Sequence, residues 1–203
     1  MEYGIIKFSF IAICFLLVIF NYKDALSRRD FLFLLLGLGA ALAADFFLVV
    51  VRFYTIGVSI FWFAHIFYAL RFAGGKIWRV FPLALPIPLI YLLVGGDLLI
   101  AASLVYMGLF VISYAAMLKA LKSKKYPTPN QILIFAGMTL FVLCDIFVAI
   151  FNMGLRGVFS SPALTYFAVD SIWLFYAPAK ICLALSFLKF SQKTPCISPN
   201  PML

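Results

Sequence analysis

Two carboxylic acids and three nitrogen bases lie inside long apolar stretches of this sequence, where ionisable groups are rare. Placing a carboxylate or an ammonium near the centre of a bilayer costs about 2.5–3.5 kcal/mol on insertion scales, so such a residue is by default a functional-site hypothesis. Five residues of the chain meet this description, and they are Lys7, Asp45, His65, Asp145 and Lys180.

Asp45 and Asp145 are the most informative pair. Each precedes the predicted outer end of a helix by six residues, with the ends at Val51 and Phe151, which is about 9 Å at 1.5 Å per residue. The two carboxyl groups are therefore predicted to share a depth. If their helices are neighbours, the groups can face each other, and like charges that close cannot both ionise in a low dielectric. One would then act as an acid and the other as a base.

Three further residues are candidates for positioning a ligand or stabilising the bundle. His65 lies on the next apolar stretch, with Tyr68 on the same helix face at i+3. Lys180 is too far from the end of the last predicted helix for its stem to reach water, so it needs a partner or a water-filled cavity. Lys7 lies nearer a boundary and can extend outward. For a lone Asp or His, a helix–helix hydrogen bond remains an alternative to a catalytic role.

The composition places these residues in a membrane. Of the 203 residues, 66% are hydrophobic and 11% are charged, and the mean hydropathy is +1.13. Soluble domains carry about 25% charged residues, so the chain is predicted to be an all-α, polytopic integral membrane protein. A net charge of +9 also raises nucleic acid as a partner. We exclude it because the basic residues lie mostly in short loops, where positive charge sets membrane orientation.

Seven apolar runs are long enough to be read as transmembrane helices of about 20 residues. They cover residues 3–20, 31–51, 54–72, 78–94, 98–118, 131–151 and 164–187. Residues 1–190 are therefore predicted to form one transmembrane helical domain, and the proline-containing tail 191–203 is predicted to be disordered. The prolines of the fourth run, Pro82, Pro86 and Pro88, are predicted to kink its helix.

The loop charges alternate as this count requires. Twelve basic residues fall in loops one, three and five and the tail, with Arg71 assigned to loop three, and two fall on the other side. The positive-inside rule then places the N-terminus outside and the C-terminus in the cytoplasm. Short loops and the absence of a targeting segment favour a bacterial inner membrane over a eukaryotic endomembrane.

Four spaced blocks together resemble the YhhN-type lysoplasmalogenase family of membrane proteins. The blocks are 39–48 (GAALAADFFL), 64–72 (AHIFYALRF), 137–145 (GMTLFVLCD) and 176–186 (YAPAKICLALS). The chain departs from the family pattern at Ala44, where the family has Gly, at Cys144, where it often has Ser, and at Lys180, where it has Gln. Members of the family that this chain resembles typically have eight helices, so from the seven predicted here we expect the usual first helix to be absent.

The resemblance implies hydrolysis of the vinyl-ether bond of a lysoplasmalogen, which releases a fatty aldehyde and a glycerophospho-headgroup. Asp45 and Asp145 would form the catalytic acid/base pair. Substrate-positioning roles fall to His65, Tyr68, Tyr176 and Lys180, with Lys180 near the phosphate or pairing with a carboxylate. A protonated carboxyl can donate to the β-carbon of a vinyl ether, and an ionised one can stabilise the oxocarbenium ion. The expected partners are a lysophospholipid substrate and membrane lipid. We expect no cofactor and no metal.

Two alternatives remain open at this point. The chain could be a non-enzymatic lipid-binding, sensing or transport homologue that lost hydrolysis when Gln was replaced by Lys180. Seven helices with a lysine inside the last one also resemble retinal-binding proteins, in which the lysine forms a Schiff base and nearby carboxylates act as counterions.

Overall fold

Among the residues that the structure describes, the fold is all-α, and 87% of them are helical. The computed structural model describes residues 2–73, 75–157 and 162–190, and the side chains of residues 2–7, including Lys7, lie outside the description. The helices are α1 (Glu2–Phe20), α2 (Arg28–Asp45), α3 (Tyr54–Ala73), α4 (Pro86–Leu93), α5 (Leu98–Lys122), α6 (Thr128–Leu155) and α7 (Pro162–Leu185). The predicted disordered tail 191–203 also falls outside the described residues.

Among the described residues, five helices are long and apolar enough to cross a membrane. They are Arg28–Val51, Tyr54–Ala73, Leu98–Lys122, Thr128–Leu155 and Tyr166–Leu185. Two further apolar helical stretches, Phe8–Phe20 and Ile77–Leu93, are shorter. The prediction of an all-α membrane protein is therefore confirmed, whereas the count of seven spans and the orientation of the termini remain predictions.

Local sequence signals explain where several helices begin and break. The Ser27 hydroxyl accepts a hydrogen bond from the Asp30 backbone N–H at 3.1 Å, and Asp97 caps α5 in the same way. The proline-containing fourth run is not one kinked helix, because a 3₁₀ helix spans Gly75–Ala84 and α4 begins only at Pro86. Prolines lack the backbone N–H that an α-helix interior needs, which accounts for the break.

Small residues allow the helices to approach closely. α6 packs along α7, and α3 packs between α2 and α5. A Cβ at Gly37 would collide with the Tyr68 ring, and one at Gly137 would collide with Leu183 on α7. The contact at Gly37 shows a small residue of α2 allowing a side chain of α3 to approach its backbone.

A buried ion pair joins the helices at one end of the bundle, where α2 and α6 begin and α3, α5 and α7 end. We call this the basic end, because basic residues are concentrated in its loops. The Arg71 guanidinium donates to both carboxylate oxygens of Asp30, at 3.0 and 2.8 Å, and its third nitrogen donates to Ser186 at 3.0 Å. Tyr126 donates to Asp30 at 2.7 Å. Arg71 was counted among the loop cations, but α3 continues to Ala73 and Arg71 is buried within it.

Lys125 closes the same end from the connection between α5 and α6. Its Nζ donates to the carbonyl oxygens of Arg71 and Phe72 at 2.8 and 2.9 Å. Desolvation lowers the pKa of Lys125, and the nearby Asp30 carboxylate partly opposes that shift. The end of α3 is thus held by the chain that leads into α6.

Replacing Asp30 by Asn is expected to destabilise the protein strongly, because Arg71 would remain buried without its counter-charge. Breaking a buried ion pair from one side costs about 3–5 kcal/mol. Thermal unfolding in detergent, followed by loss of the monodisperse size-exclusion peak, should show a lower midpoint. Asp24→Asn is the matched control, since Asp24 is exposed at the same end of the bundle. Equal midpoints for the two variants would contradict the assigned role.

Candidate active site

The two carboxylates predicted from the sequence are both held by tyrosines. Asp45, the last residue of α2, is 7% exposed and accepts a hydrogen bond from the Tyr176 hydroxyl of α7. Asp145 on α6 accepts a hydrogen bond of 2.6 Å from the Tyr106 hydroxyl of α5. Each carboxylate and its tyrosine therefore connect two different helices.

The equal depth of the two carboxylates was predicted from the ends of their helices, and one of these ends differs from the prediction. α6 continues to Leu155 rather than ending near Phe151, which places Asp145 about 15 Å from that helix end. The helical stretch that contains Asp45 ends at Val51, about 9 Å away. α2 packs mainly on α3, and α6 packs mainly on α7. The two helices that carry the carboxylates therefore do not pack extensively on each other. The two carboxyl groups are nevertheless within electrostatic range of each other.

His65 extends the hydrogen bonding of Asp145 into the bundle interior. Its Nε2 lies 3.2 Å from the Tyr106 hydroxyl, and its Nδ1 lies 3.1 Å from the Ser113 hydroxyl. Ser113 in turn donates to the Phe110 carbonyl oxygen at 2.8 Å. The imidazole is completely buried. Four side chains, from Asp145 through Tyr106 and His65 to Ser113, therefore form one continuous relay.

This relay can hold the same number of protons in two ways. In one, the Asp145 carboxyl is protonated and donates to Tyr106, which donates to His65 Nε2, while Nδ1–H donates to Ser113. In the other, Asp145 is ionised, Tyr106 donates to it, and both ring nitrogens of His65 carry protons. Moving one proton across each of two hydrogen bonds converts one arrangement into the other. His65 can therefore return a proton to Asp145 without bulk water.

Lys180 lies in a box of aromatic rings. Its side chain is completely buried, and its Nζ is 3.7 Å from the ring centroid of Phe141, 4.9 Å from that of Tyr176 and 5.8 Å from that of Phe61. No hydrogen-bond partner reaches this Nζ among the described residues. Asp45 and Asp145 both act on Lys180 electrostatically.

Tyr68 is the second buried donor without a partner. Its ring lies 6.0 Å from that of His65, measured between centroids, and packs over Gly37. Its hydroxyl is buried and finds no hydrogen-bond partner in the described part of the chain. All six predicted site residues therefore lie in one region. Within it, Asp45 and Asp145 are each hydrogen-bonded to a tyrosine.

Tyr106 and Ser113 are the site residues that the sequence analysis missed. They are seven residues apart on α5, which is two helical turns, so they lie on one face of an otherwise apolar helix. That spacing of polar groups inside an apolar run was the available signal. Within the described residues, no cluster of three or more His, Cys, Asp or Glu side chains is placed to hold a metal ion.

The fold and this buried polar cluster define an α-helical membrane protein with ionisable groups converging inside the bundle. The YhhN family model matches residues 5–187, nearly the whole chain. The protein therefore belongs to the YhhN family, which confirms the resemblance found in the sequence. No curated protein and no solved structure matches the chain significantly.

Proposed function

We propose that this protein is a membrane-embedded hydrolase that cleaves the vinyl-ether bond of a lysoplasmalogen. One observation carries the proposal. Two carboxylates from distant parts of the chain lie in one buried polar cluster, and one of them ends a hydrogen-bonded proton relay. Membership of the YhhN family supports the reaction class.

Asp145 is the proposed general acid. Protonation of the vinyl-ether β-carbon is the difficult step, and a positioned acid typically contributes about 10²–10⁴-fold to such a step. The relay through Tyr106 to His65 gives Asp145 a source from which to recover that proton. As a residue, Asp145 is only half-buried, whereas Asp45 is buried.

Asp45 is the proposed stabiliser of the oxocarbenium ion that follows protonation. A fixed carboxylate favours a developing positive charge most strongly where water is excluded. The Tyr176 hydroxyl donates to Asp45 and so fixes its orientation. Water then adds to the cation with a carboxylate as base, and the hemiacetal collapses to a fatty aldehyde and a glycerophospho-headgroup.

Seven spans with the N-terminus outside remain our proposed topology. The 19 residues of α1 span about 28 Å at 1.5 Å per residue. The 3₁₀ helix of 10 residues rises about 20 Å at 2.0 Å per residue, and the 8 residues of α4 add about 12 Å. Both stretches can therefore cross a hydrocarbon core of about 30 Å. A bacterial inner membrane is the proposed location.

A non-enzymatic lipid-binding protein is the second candidate, and the unpartnered Lys180 favours it, since the family has Gln at this position. A gain of aldehyde release in Lys180→Gln over an inactive wild type would support this candidate.

Retinal binding is a third candidate, and a visible absorption band after retinal is added would support it.

Purified protein given lysoplasmalogen in detergent micelles is expected to release fatty aldehyde. Asp145→Asn and Asp45→Asn should each lower the turnover at least about 100-fold, because each removes a group that acts on the reacting atoms. Asp170→Asn is the matched control, since Asp170 lies exposed on α7. Wild-type turnover in both Asp45→Asn and Asp145→Asn would overturn the assignment.

Tyr106→Phe is expected to slow turnover by interrupting the relay while its ring remains in place. Tyr114→Phe is the control on the same helix, because the Tyr114 hydroxyl also bonds across to α6, to Thr139 at 3.1 Å. The pH dependence of kcat separates a relay from a purely structural role. Loss of activity in Tyr106→Phe with an unchanged pH profile would contradict proton transfer through this residue.

Single-cysteine labelling in spheroplasts is expected to place the two sides of the bundle as proposed. A membrane-impermeant maleimide should label Val94→Cys, in the connection from α4 to α5, where Val94 is exposed, and should not label Ser123→Cys, in the connection from α5 to α6. Both variants are made in a background lacking the native cysteines. The reverse pattern would mean that the orientation is inverted.

A further inference from the structure

We propose that Lys180 captures the fatty aldehyde covalently, as an imine on its Nζ. This inference rests on the proposed function, because the aldehyde is the product of vinyl-ether cleavage. The site would then retain a reactive product inside the bundle until water releases it.

The first support is the unsatisfied state of the Lys180 side chain. It is completely buried, and its Nζ has no hydrogen-bond partner among the described residues. Burying a polar nitrogen without a partner is costly, and groups of this kind in native proteins call for an explanation such as a ligand. At the basic end, by contrast, all three guanidinium nitrogens of Arg71 have acceptors. Among the described residues, the buried side-chain atoms without a partner are the Lys180 Nζ, the Tyr68 hydroxyl and the Asn130 Oδ1, and the first two both lie within electrostatic range of Asp45.

The second support is the location of Lys180 beside the carboxylates. It lies one helical turn after Tyr176 on α7, and helical side chains lean toward the N-terminus of their helix. Its Nζ accordingly reaches within 4.9 Å of the centroid of the Tyr176 ring, whose hydroxyl donates to Asp45. Asp145 also acts on Lys180 electrostatically. A carbonyl formed between the two acids would be close to the amine.

The third support is the character of the walls around Nζ. Phe61, Phe141 and Tyr176 present ring faces to it, and these suit an alkyl chain with one polar end. A phosphate group needs several donors to replace its water shell, and this box supplies few. Tyr68 adds one further unpartnered hydroxyl near Asp45, which can donate to a carbonyl oxygen.

The capture reaction balances with the groups present. Lys180 first gives a proton to a neighbouring carboxylate, and its neutral amine then attacks the aldehyde carbon to form a C–N bond. The carbonyl oxygen takes up a proton and the nitrogen gives one up, which yields a neutral carbinolamine. A carboxyl protonates the hydroxyl, water leaves, and the nitrogen loses its remaining proton to give the neutral imine. The net change is amine plus aldehyde to imine plus water, and addition of water reverses it.

The test is reductive trapping with hexadecanal and cyanoborohydride, followed by peptide mapping of the full-length protein. We expect a stable secondary amine at Lys180 in excess of that at exposed lysines such as Lys122 and Lys124. Lys180→Arg keeps the charge and should lose this adduct, whereas Lys122→Arg should leave it unchanged. Lys180→Gln restores the usual family residue and serves as a second negative variant. No enrichment at Lys180 over exposed lysines overturns the proposal.

A parallel arm uses lysoplasmalogen as the source of the aldehyde. Trapping at Lys180 from hexadecanal alone, with no aldehyde formed from lysoplasmalogen, supports the amine site while the hydrolase proposal fails. Release of aldehyde from lysoplasmalogen without an adduct at Lys180 in either arm overturns imine capture and leaves the hydrolase proposal standing. An adduct in both arms supports the two together.

Discussion

The pairing of polar groups inside an apolar bundle is the constraint on which this structure depends. A helix can supply its own backbone hydrogen bonds in a bilayer, but a carboxylate or hydroxyl must find its partner on another helix. Tyr176 therefore ties α7 to α2 at Asp45, and Tyr106 ties α5 to α6 at Asp145. The same bonds that join the helices fix the orientation of the carboxyl groups, so stability and chemistry share the same contacts.

The bundle contains two buried polar clusters that differ in how fully they are satisfied. At the basic end, Asp30, Arg71, Tyr126 and Ser186 form a network in which the guanidinium uses all its nitrogens. Closed networks of this kind rigidify a protein and leave little for a ligand to bind. Around Lys180, donors remain without acceptors. The first cluster therefore has the character of a structural network, and the unsatisfied donors of the second are what supports our proposal that it binds a ligand.

Energetic cost explains which site residues could be predicted from the sequence. Asp45, Asp145, His65 and Lys180 stand out because each is expensive in an apolar run, whatever its neighbours. Tyr106 and Ser113 did not stand out, since tyrosine and serine are tolerated in membrane helices for many reasons. Their roles depend on which rotamer faces His65, and that is a property of the packed bundle.

Helix ends were harder to predict than helix positions. The run that became α6 was expected to end near Phe151, yet polar Asn152 is accommodated by donating to the Val148 carbonyl, and the helix continues to Leu155. Arg71 was assigned to a loop because a charge usually marks the end of a span. Its counter-ion Asp30 is 41 residues away in sequence, so only the fold could bring the two together.

The lysine on α7 changes the charge balance of the site, and this bears on how the site works. With the Gln that the family resemblance leads us to expect at this position, two carboxylates would face His65 as the one basic side chain of the cluster. With Lys180, two acids face two bases, and the cluster can be neutral overall with both carboxylates ionised or with both protonated. In the reaction we propose, a proton would then reach the vinyl ether from either base without leaving a net charge in the apolar interior. In that same reaction the amine of Lys180 would lie beside the aldehyde as it forms, so a residue that eases proton transfer would also make covalent capture chemically available.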